Sequence, residues 1–180
     1  MTTYIALLRG INVGGHNLVA MADLRAMLER MGFTEPRTLL QSGNIVFRSR
    51  LSSAAGIEQN LESETKQRLS VNTPFFVRTA EEWETIVARN PFKSAAKKDP
   101  ARLVLVCFKE APAPSAVKEL LGAFEGPETF QADGRHAYIT YPNGQGKSNL
   151  TMNLIEARLR TKGTARNWNT VLKLADLSSH

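Results

Sequence analysis

The sequence lacks a second cysteine, a long apolar run and an N-terminal targeting segment. Cys107 is the single cysteine, so no internal disulfide can form, and its place in the apolar run LVLVCF predicts a buried, inert thiol rather than a nucleophile. No apolar run approaches the roughly 20 residues that span a bilayer. The start, MTTYIALLRG, is interrupted by Arg9 too early for a signal peptide. These absences predict a cytoplasmic protein without a membrane partner.

Patterns typical of metal binding and acid–base catalysis are also scarce. The three histidines, at positions 16, 136 and 180, do not have the spacing of metal ligands, and no carboxylate cluster falls in a loop. His16 is the one candidate proton carrier, whereas His136 is expected at the surface beside the Asp133-Gly134 turn. The sequence indicates no metal and no particular cofactor, and it leaves open whether the protein is an enzyme.

Positive charge is concentrated in one segment. The formal net charge is +6, and residues 147–173 contain six basic residues against Glu156 alone. Such asymmetry favours anionic partners, either nucleic acid or small phosphorylated molecules. The alternative is that Arg158, Arg160 and Lys162 only stabilise the negative end of a helix dipole.

Hydrophobic periodicity predicts an α+β fold in two similar halves. Residues 1–78 have the order β-α-β-β-α-β of a ferredoxin-like (alpha-beta plait) subdomain, with strands at 3–8, 38–41, 44–48 and 74–78. A helix opened by the capping box Thr79-Ala80-Glu81-Glu82 and a linker fill residues 79–101. Residues 102–180 repeat the order, with a C-terminal helix replacing the last strand. We infer an internal duplication with a spacing of about 90–100 residues.

The stretch YPNGQGKSNL at 141–150 contains Gly-Lys-Ser, the end of a phosphate-binding P-loop. The first glycine that a P-loop requires falls on Tyr141, and the preceding strand belongs to a hairpin with a type I′ turn, so a nucleoside triphosphatase signature is excluded. A smaller interpretation remains open, in which Ser148 caps a helix whose free amides attract an anion, with Lys147 alongside. The alternative is a plain turn and helix cap.

A second glycine-rich stretch, RGINVGGHN at residues 9–17, lies between a strand and a helix. Its glycines do not match the Gly-x-Gly-x-x-Gly dinucleotide fingerprint. Polar loop residues such as Arg9 and Asn12, beside Gly14 and Gly15, serve binding in many proteins. A purely structural loop is the alternative.

RNA-recognition domains share the ferredoxin-like order and stack bases on aromatic residues of their central strands. Tyr4 and Phe47 occupy such strands here, but the Lys/Arg-Gly-Phe/Tyr-Gly/Ala-Phe signature is absent. A polar cluster, Arg166-Asn167-Trp168-Asn169, is expected on the C-terminal helix, capped by Thr164, with Arg166 and Asn169 sharing its polar face. This cluster suits either ligand contact or hydrogen bonding between the halves.

These motifs resemble a bacterial family called domain of unknown function 1697. The segments that carry the resemblance are LLRGINVGG (7–15), LQSGNIVF (40–47), NPF (90–92), YPNGQGKS (141–148) and TARNWNTVLKL (164–174). They occur along nearly the whole chain and in the family's order. The resemblance implies paired alpha-beta plait subdomains, and the family has no established activity, cofactor or substrate.

Our leading hypothesis is a small phosphorylated or otherwise anionic ligand bound at the subdomain junction. The candidate ligand-binding residues are Arg9, Asn12, Gly14, Gly15, Ser42, Asn44, Lys147, Ser148, Arg166, Asn167 and Asn169. We expect the first and third strands to run parallel, which would place the Arg9–Gly15 loop near residues 48–52 and away from the Ser42–Asn44 hairpin. The alternatives are nucleic-acid binding through residues 147–173 and a structural or dimerisation role; monomer and homodimer both remain open.

Overall fold

The protein is described by a computed structural model of residues 1–180, which divides into two compact units. The first contains residues 1–88 and 173–180, and the second contains residues 89–172. Each unit holds a four-stranded antiparallel sheet with helices. This confirms the predicted α+β fold class, and the shared topology agrees with two duplicated alpha-beta subdomains. None of the helices has the length and apolar character needed to cross a membrane.

The first unit follows the predicted order of strands and helices. Its elements are β1 Thr2–Leu8, α1 Met21–Arg30, β2 Thr34–Leu39, β3 Asn44–Ser49, α2 Ala54–Leu69, β4 Phe75–Thr79 and α3 Ala80–Ala88. The strands lie in the order β2-β3-β1-β4. Alternate residues of β1, namely Tyr4, Ala6 and Leu8, join the core that α1 and α2 cover. The capping box forms as predicted: Glu82 N donates to Thr79 Oγ1 at 3.0 Å, and Thr79 N donates to Glu82 Oε2 at 2.7 Å.

The second unit repeats this topology. Its elements are α4 Lys93–Lys98, β5 Leu103–Phe108, α5 Pro114–Ala123, β6 Thr129–Asp133, β7 His136–Thr140, α6 Met152–Leu159 and β8 Gly163–Asn167, followed by α7 Trp168–Ser178. The strand order is β6-β7-β5-β8. The β6–β7 hairpin forms as predicted, but among its loop residues only Gly134 has a positive φ, which is the pattern of a type II′ turn and not type I′.

The prediction that a helix replaces the last strand of the second half was wrong. Residues 163–167 form β8, which pairs antiparallel with β5 and places Arg166 opposite Leu105. Asn167, and not Thr164, caps α7, because its Oδ1 accepts a hydrogen bond from Thr170 N at 3.1 Å. The segment GTARN has no apolar alternation, so periodicity alone could not separate this short strand from the helix that follows it.

The expected direction of the third strand was also wrong. β1 and β3 run antiparallel, with Leu7 opposite Asn44. The crossover through α1 returns the chain so that β2 runs parallel to β1, and the tight hairpin then reverses β3. The loop after β1 therefore lies beside the β2–β3 hairpin, while residues 48–52 lie at the opposite end of the sheet.

Carboxylates of α2 protect the edge strand β4. Glu62 Oε1 accepts a hydrogen bond from Phe75 N at 2.9 Å, and Glu58 Oε1 accepts one from Val77 N at 2.8 Å. Unpaired amides along an edge strand are a template for pairing with another chain. Since Glu58 and Glu62 lie four residues apart on one helix face, a single helix satisfies two alternate amides of the strand.

Candidate functional site

Asn12 ties the glycine-rich loop to the β2–β3 hairpin. Its Nδ2 donates to Val19 O at 3.0 Å and to Gln41 O at 2.7 Å, while its Oδ1 accepts from Val19 N at 2.8 Å. Leu8 N also donates to Gly43 O at 2.8 Å. Because the amide uses both donors and its oxygen within the protein, Asn12 positions the loop.

The hairpin residues are equally engaged in local structure. Asn44 is fully buried, and its Nδ2 donates to Leu39 O at 2.9 Å and to Ser42 Oγ at 3.0 Å. Gly43 has φ +80°, and a Cβ there would lie 2.8 Å from both Ile11 Cδ1 and the Leu8 Cβ. Only glycine fits this approach of loop and hairpin.

The tip of the glycine-rich loop is a tight turn. Gly14 and Gly15 have φ +58° and +76°, the positive values that a type I′ turn requires, and His16 N donates to Val13 O at 3.1 Å. Val13 and Leu18 are 65% and 70% exposed. Gly14 and Gly15 therefore shape an exposed tip with apolar side chains beside it.

The Gly-Lys-Ser stretch does not open a helix, so the prediction that Ser148 is a helix cap was wrong. Residues 145–147 form a 3-10 turn, and Ser148 Oγ accepts from Leu150 N at 3.0 Å. α6 begins at Met152, and its cap is Thr151, whose Oγ1 accepts from Leu154 N at 3.2 Å. Serine and threonine are both favourable caps, so the sequence could not distinguish them. Lys147 is exposed on the turn.

Arg166 lies on β8 and not on α7, so it does not share a helix face with the exposed Asn169. Its Nη1 donates to Thr164 Oγ1 at 2.8 Å and to Ala165 O at 2.9 Å. Burial lowers the pKa of Arg166 to about 10. The guanidinium therefore bonds two groups of its own strand and is partly shielded from water.

The environment of His136 differs from the sequence prediction. Its side chain is only 15% exposed, packs edge-on against Tyr138 with ring centroids 5.3 Å apart, and places Nε2 3.8 Å from Asp133 Oδ2. Burial, followed by the charge of Asp133, raises the pKa of Tyr138 to about 12.

Cys107 is fully buried, as predicted. No group of three or more His, Cys, Asp or Glu side chains is arranged to hold a metal ion.

Two adjacent clefts lie at the other end of the first sheet, in segments where the sequence shows no motif. One of about 290 Å³ is lined by Arg30, Met31, Phe33, Leu51, Asn60, Ser63, Glu64 and Arg68. The other, of about 390 Å³, is lined by Met1, Met31, Gly32, Phe33, Thr34, Ser49, Arg50 and Leu51. The two share Met31, Phe33 and Leu51, and we call them together the arginine groove.

The arginine groove has free cationic groups. Arg30 and Arg50 are exposed, and their side chains make no hydrogen bond or ion pair within the chain, whereas Arg68 pairs with Glu64. The Leu51 carbonyl accepts from Tyr4 Oη at 2.7 Å, which fixes one wall. These arginines are about 20 residues apart, so no local sequence pattern could have brought them together.

The basic segment 147–173 does not form a continuous helix stripe. Arg160 and Lys162 border a cleft of about 410 Å³ that residues of α6 also line, whereas Lys147 precedes the N-terminal end of this helix. Arg166 lies on β8. Nucleic-acid binding through this segment stays a prediction.

Comparison with known proteins decides the family. A family model described as protein of unknown function (DUF1697) matches residues 1–138. The chain belongs to the DUF1697 family. The fold is also similar to the structure of conserved bacterial protein SP0830 from Streptococcus pneumoniae, with a TM-score of 0.77, 25% identity and 98% of each chain covered. No curated protein matches the sequence.

In this DUF1697 chain the predicted site residues serve several local roles. Asn12, Ser42 and Asn44 join the glycine-rich loop and the hairpin, which the structure brings together. Arg9 is half-buried, and its carbonyl oxygen accepts from Thr73 Oγ1. Asn167 is a helix cap. A shared ligand site of Arg9, Lys147 and Arg166 stays a prediction.

Proposed function

We propose that this DUF1697 protein binds a small organic anion with an apolar part, and that the arginine groove is the site. The observation that supports this most directly is the placement of Arg30 and Arg50, two guanidinium groups without a partner in the chain, around a floor shared by Met31, Phe33 and Leu51. The proposal keeps the anionic ligand expected from the sequence but assigns it to the arginine groove and not to the subdomain junction.

The chemistry of the groove favours a phosphate or carboxylate. Arginine presents a planar fork of donors that matches either group with two parallel hydrogen bonds. Glu64 balances the charge of Arg68, so Arg30 and Arg50 supply the net positive charge. The Asn60 side chain, which makes no hydrogen bond within the chain, adds a neutral donor and acceptor.

The apolar floor favours a ligand that is more than an inorganic ion. Phe33 is buried, and Met31 is partly covered, so their surfaces in the groove are fixed by the core of the unit. Small-molecule sites combine apolar walls with a few polar groups and have volumes of about 300–1,000 Å³. With volumes of about 290 and 390 Å³, the two clefts lie close to the lower limit of that range, which suits a ligand of one ring or a short chain.

Thermal-shift and calorimetric titrations with matched probes test this proposal. Phenyl phosphate and benzoate should raise Tm saturably, while inorganic phosphate should act more weakly and benzyl alcohol not at all. Arg30→Ala and Arg50→Ala should each weaken phenyl phosphate binding. Lys66→Ala is the matched control, because Lys66 is an exposed cation on α2 that does not line the groove.

The same titrations can contradict the proposal. If organic anions give no saturable Tm shift, the groove is not the binding site. The same conclusion follows if Lys66→Ala weakens binding as much as Arg30→Ala and Arg50→Ala do. If Lys147→Ala and Arg166→Ala abolish binding while Arg30→Ala does not, the ligand lies with the glycine-rich motifs that the sequence indicates.

A further inference from the structure

The second unit has a groove at the position that corresponds to the arginine groove. Each groove lies between the helix that follows the first strand and the helix that follows the third, namely α1 and α2 in one unit and α5 and α6 in the other. Arg68 and Arg158 are the last but one residues of α2 and α6, and left-handed cap residues, Ser70 and Arg160, end both helices. Arg68 and Arg158 are therefore topologically equivalent and both line a groove.

The groove of the second unit, which we call the Arg158 groove, has a volume of about 290 Å³. Its apolar lining includes Leu120, Phe124 and Leu154, and its polar lining consists of Glu125, Asn149 and Arg158. Leu120 is buried, and Phe124 and Leu154 pack against the core of this unit. The apolar floor is thus continuous with the core and does not depend on mobile side chains.

The ion pair of the first groove has no counterpart in the second, because one residue of the helix differs. In the first unit Glu64 stands four residues before Arg68 and forms an ion pair with it. Leu154 stands at the corresponding position before Arg158 and cannot form such a pair. The side chains of Arg158, Glu125 and Asn149 make no hydrogen bond or ion pair within the chain.

We propose that the Arg158 groove binds an α-amino acid with an apolar side chain, of the leucine or phenylalanine type. The ligand carboxylate pairs with Arg158, its ammonium group pairs with Glu125, and the side chain covers the apolar floor. A groove with one cation and one anion has no net charge, so it favours a zwitterion over a simple anion. The Asn149 amide can bond either charged group of the ligand.

NMR titration of the full ¹⁵N-labelled chain tests this proposal with four probes. L-leucine has both charges and the side chain, 4-methylpentanoate lacks the ammonium group, 3-methylbutylamine lacks the carboxylate, and glycine lacks the side chain. We expect saturable shifts from leucine at the C-terminal end of α5 and along α6. Each of the three analogues should bind about tenfold more weakly or worse, because each loses a charge-assisted contact or apolar burial.

Charge variants assign the two contacts. Arg158→Gln should weaken binding of leucine and 4-methylpentanoate but not of 3-methylbutylamine, and Glu125→Gln should have the opposite selectivity. Both residues are exposed, so the variants should retain the native spectrum. Lys118→Gln and Glu119→Gln are matched controls, because these exposed charges on α5 do not line the groove.

Two outcomes would overturn the proposal: the absence of saturable shifts with leucine, or equal binding of leucine and 4-methylpentanoate with no effect of Glu125→Gln. The result is separate from that for the arginine groove, whose ligands should shift resonances of α1 and α2 and should respond to Arg30→Ala.

Discussion

Arg78 and Arg166 occupy the same position in the two units. Arg78 on β4 pairs with Ile5 of the central strand β1, and Arg166 on β8 pairs with Leu105 of the central strand β5. In both cases Nη1 donates to the carbonyl oxygen of the preceding residue, at 2.8 and 2.9 Å. Each unit therefore holds a guanidinium against its own last strand.

The residue after each arginine is also equivalent. Thr79 and Asn167 cap the helices α3 and α7, so the last strand of each sheet leads through a cap into a helix without an intervening loop. This repetition of side-chain roles supports the predicted internal duplication. Strand β8 ends at Asn167 and helix α7 begins at the next residue. Because no loop separates them, the sequence at 166–169 resembles part of the helix.

Replacing Asn12 should release the glycine-rich loop. Asn12→Ala removes three hydrogen bonds to backbone groups, and we expect a loss of about 2–3 kcal/mol in the free energy of unfolding, measured by urea denaturation. Asn169→Ala is the matched control, since this exposed residue should change stability by less than about 0.5 kcal/mol. A similar small effect for both would mean that Asn12 does not hold the loop.

Replacing Gly43 should be more damaging than replacing another glycine of positive φ. In Gly43→Ala the new Cβ meets Ile11 and Leu8 at 2.8 Å, which adds overpacking to backbone strain, so we expect a loss of about 2–4 kcal/mol. Gly10→Ala, with φ +63° and no atom within 4 Å, should lose only about 1–2 kcal/mol. Equal chemical denaturation midpoints for the two variants would contradict the close approach of loop and hairpin.

Glu58 should be essential for the edge of the first sheet. It is buried, accepts from Val77 N, and its Oε1 lies 3.9 Å from Arg78 Nη1. Glu58→Ala should lower the free energy of unfolding by about 2–4 kcal/mol, and Glu58→Gln by less, because the amide oxygen can still accept from Val77 N. Exposed Glu29 provides the control, and an effect of Glu29→Ala as large as that of Glu58→Ala would exclude this explanation.

Ionisation of the Tyr141 hydroxyl should lower the free energy of unfolding at alkaline pH. Burial raises its pKa from 10.0 to about 12, so the unfolded chain loses this proton at lower pH than the folded chain. The corresponding stability is complete below pH 10 and is lost as the pH rises towards 12. Tyr141→Phe should flatten stability against pH in that window. At neutral pH it should lose about 1 kcal/mol, because the bond from Tyr141 Oη to Leu150 O is removed.

Arg166 should change the pH dependence of stability in the opposite direction to Tyr141, so the two residues can be compared in the same protein. Burial lowers its pKa to about 10, so above about pH 10 the unfolded chain binds more protons than the folded chain and the free energy of unfolding rises with pH. Arg166→Met should therefore steepen the alkaline loss of stability that Tyr141→Phe reduces. Urea denaturation at several pH values above about 9 measures both slopes. If the free energy of unfolding has the same pH dependence in Arg166→Met and Tyr141→Phe, the two pKa shifts do not have opposite signs.

The β2 strand illustrates the limit of local patterns within the first unit. Periodicity predicts this strand at 38–41, whereas β2 is Thr34–Leu39, with a register shift between Thr34 and Arg37. Pro36 makes the segment look unlike a strand, but β2 is an edge strand, where proline does not remove an inward hydrogen bond. Edge position is a tertiary property and is not visible in the segment itself.

Features that depend on neighbouring residues were predictable from the sequence: the order of most strands and helices, the capping box at Thr79, and the buried thiol of Cys107. Periodicity and capping act within a few residues, so they can be read along the chain. The direction of β3, the existence of β8 and the placement of Arg30 and Arg50 on two clefts with a common floor emerge only in the folded chain. These depend on which distant segments pair in each sheet, and that choice is made by the packing of the whole unit.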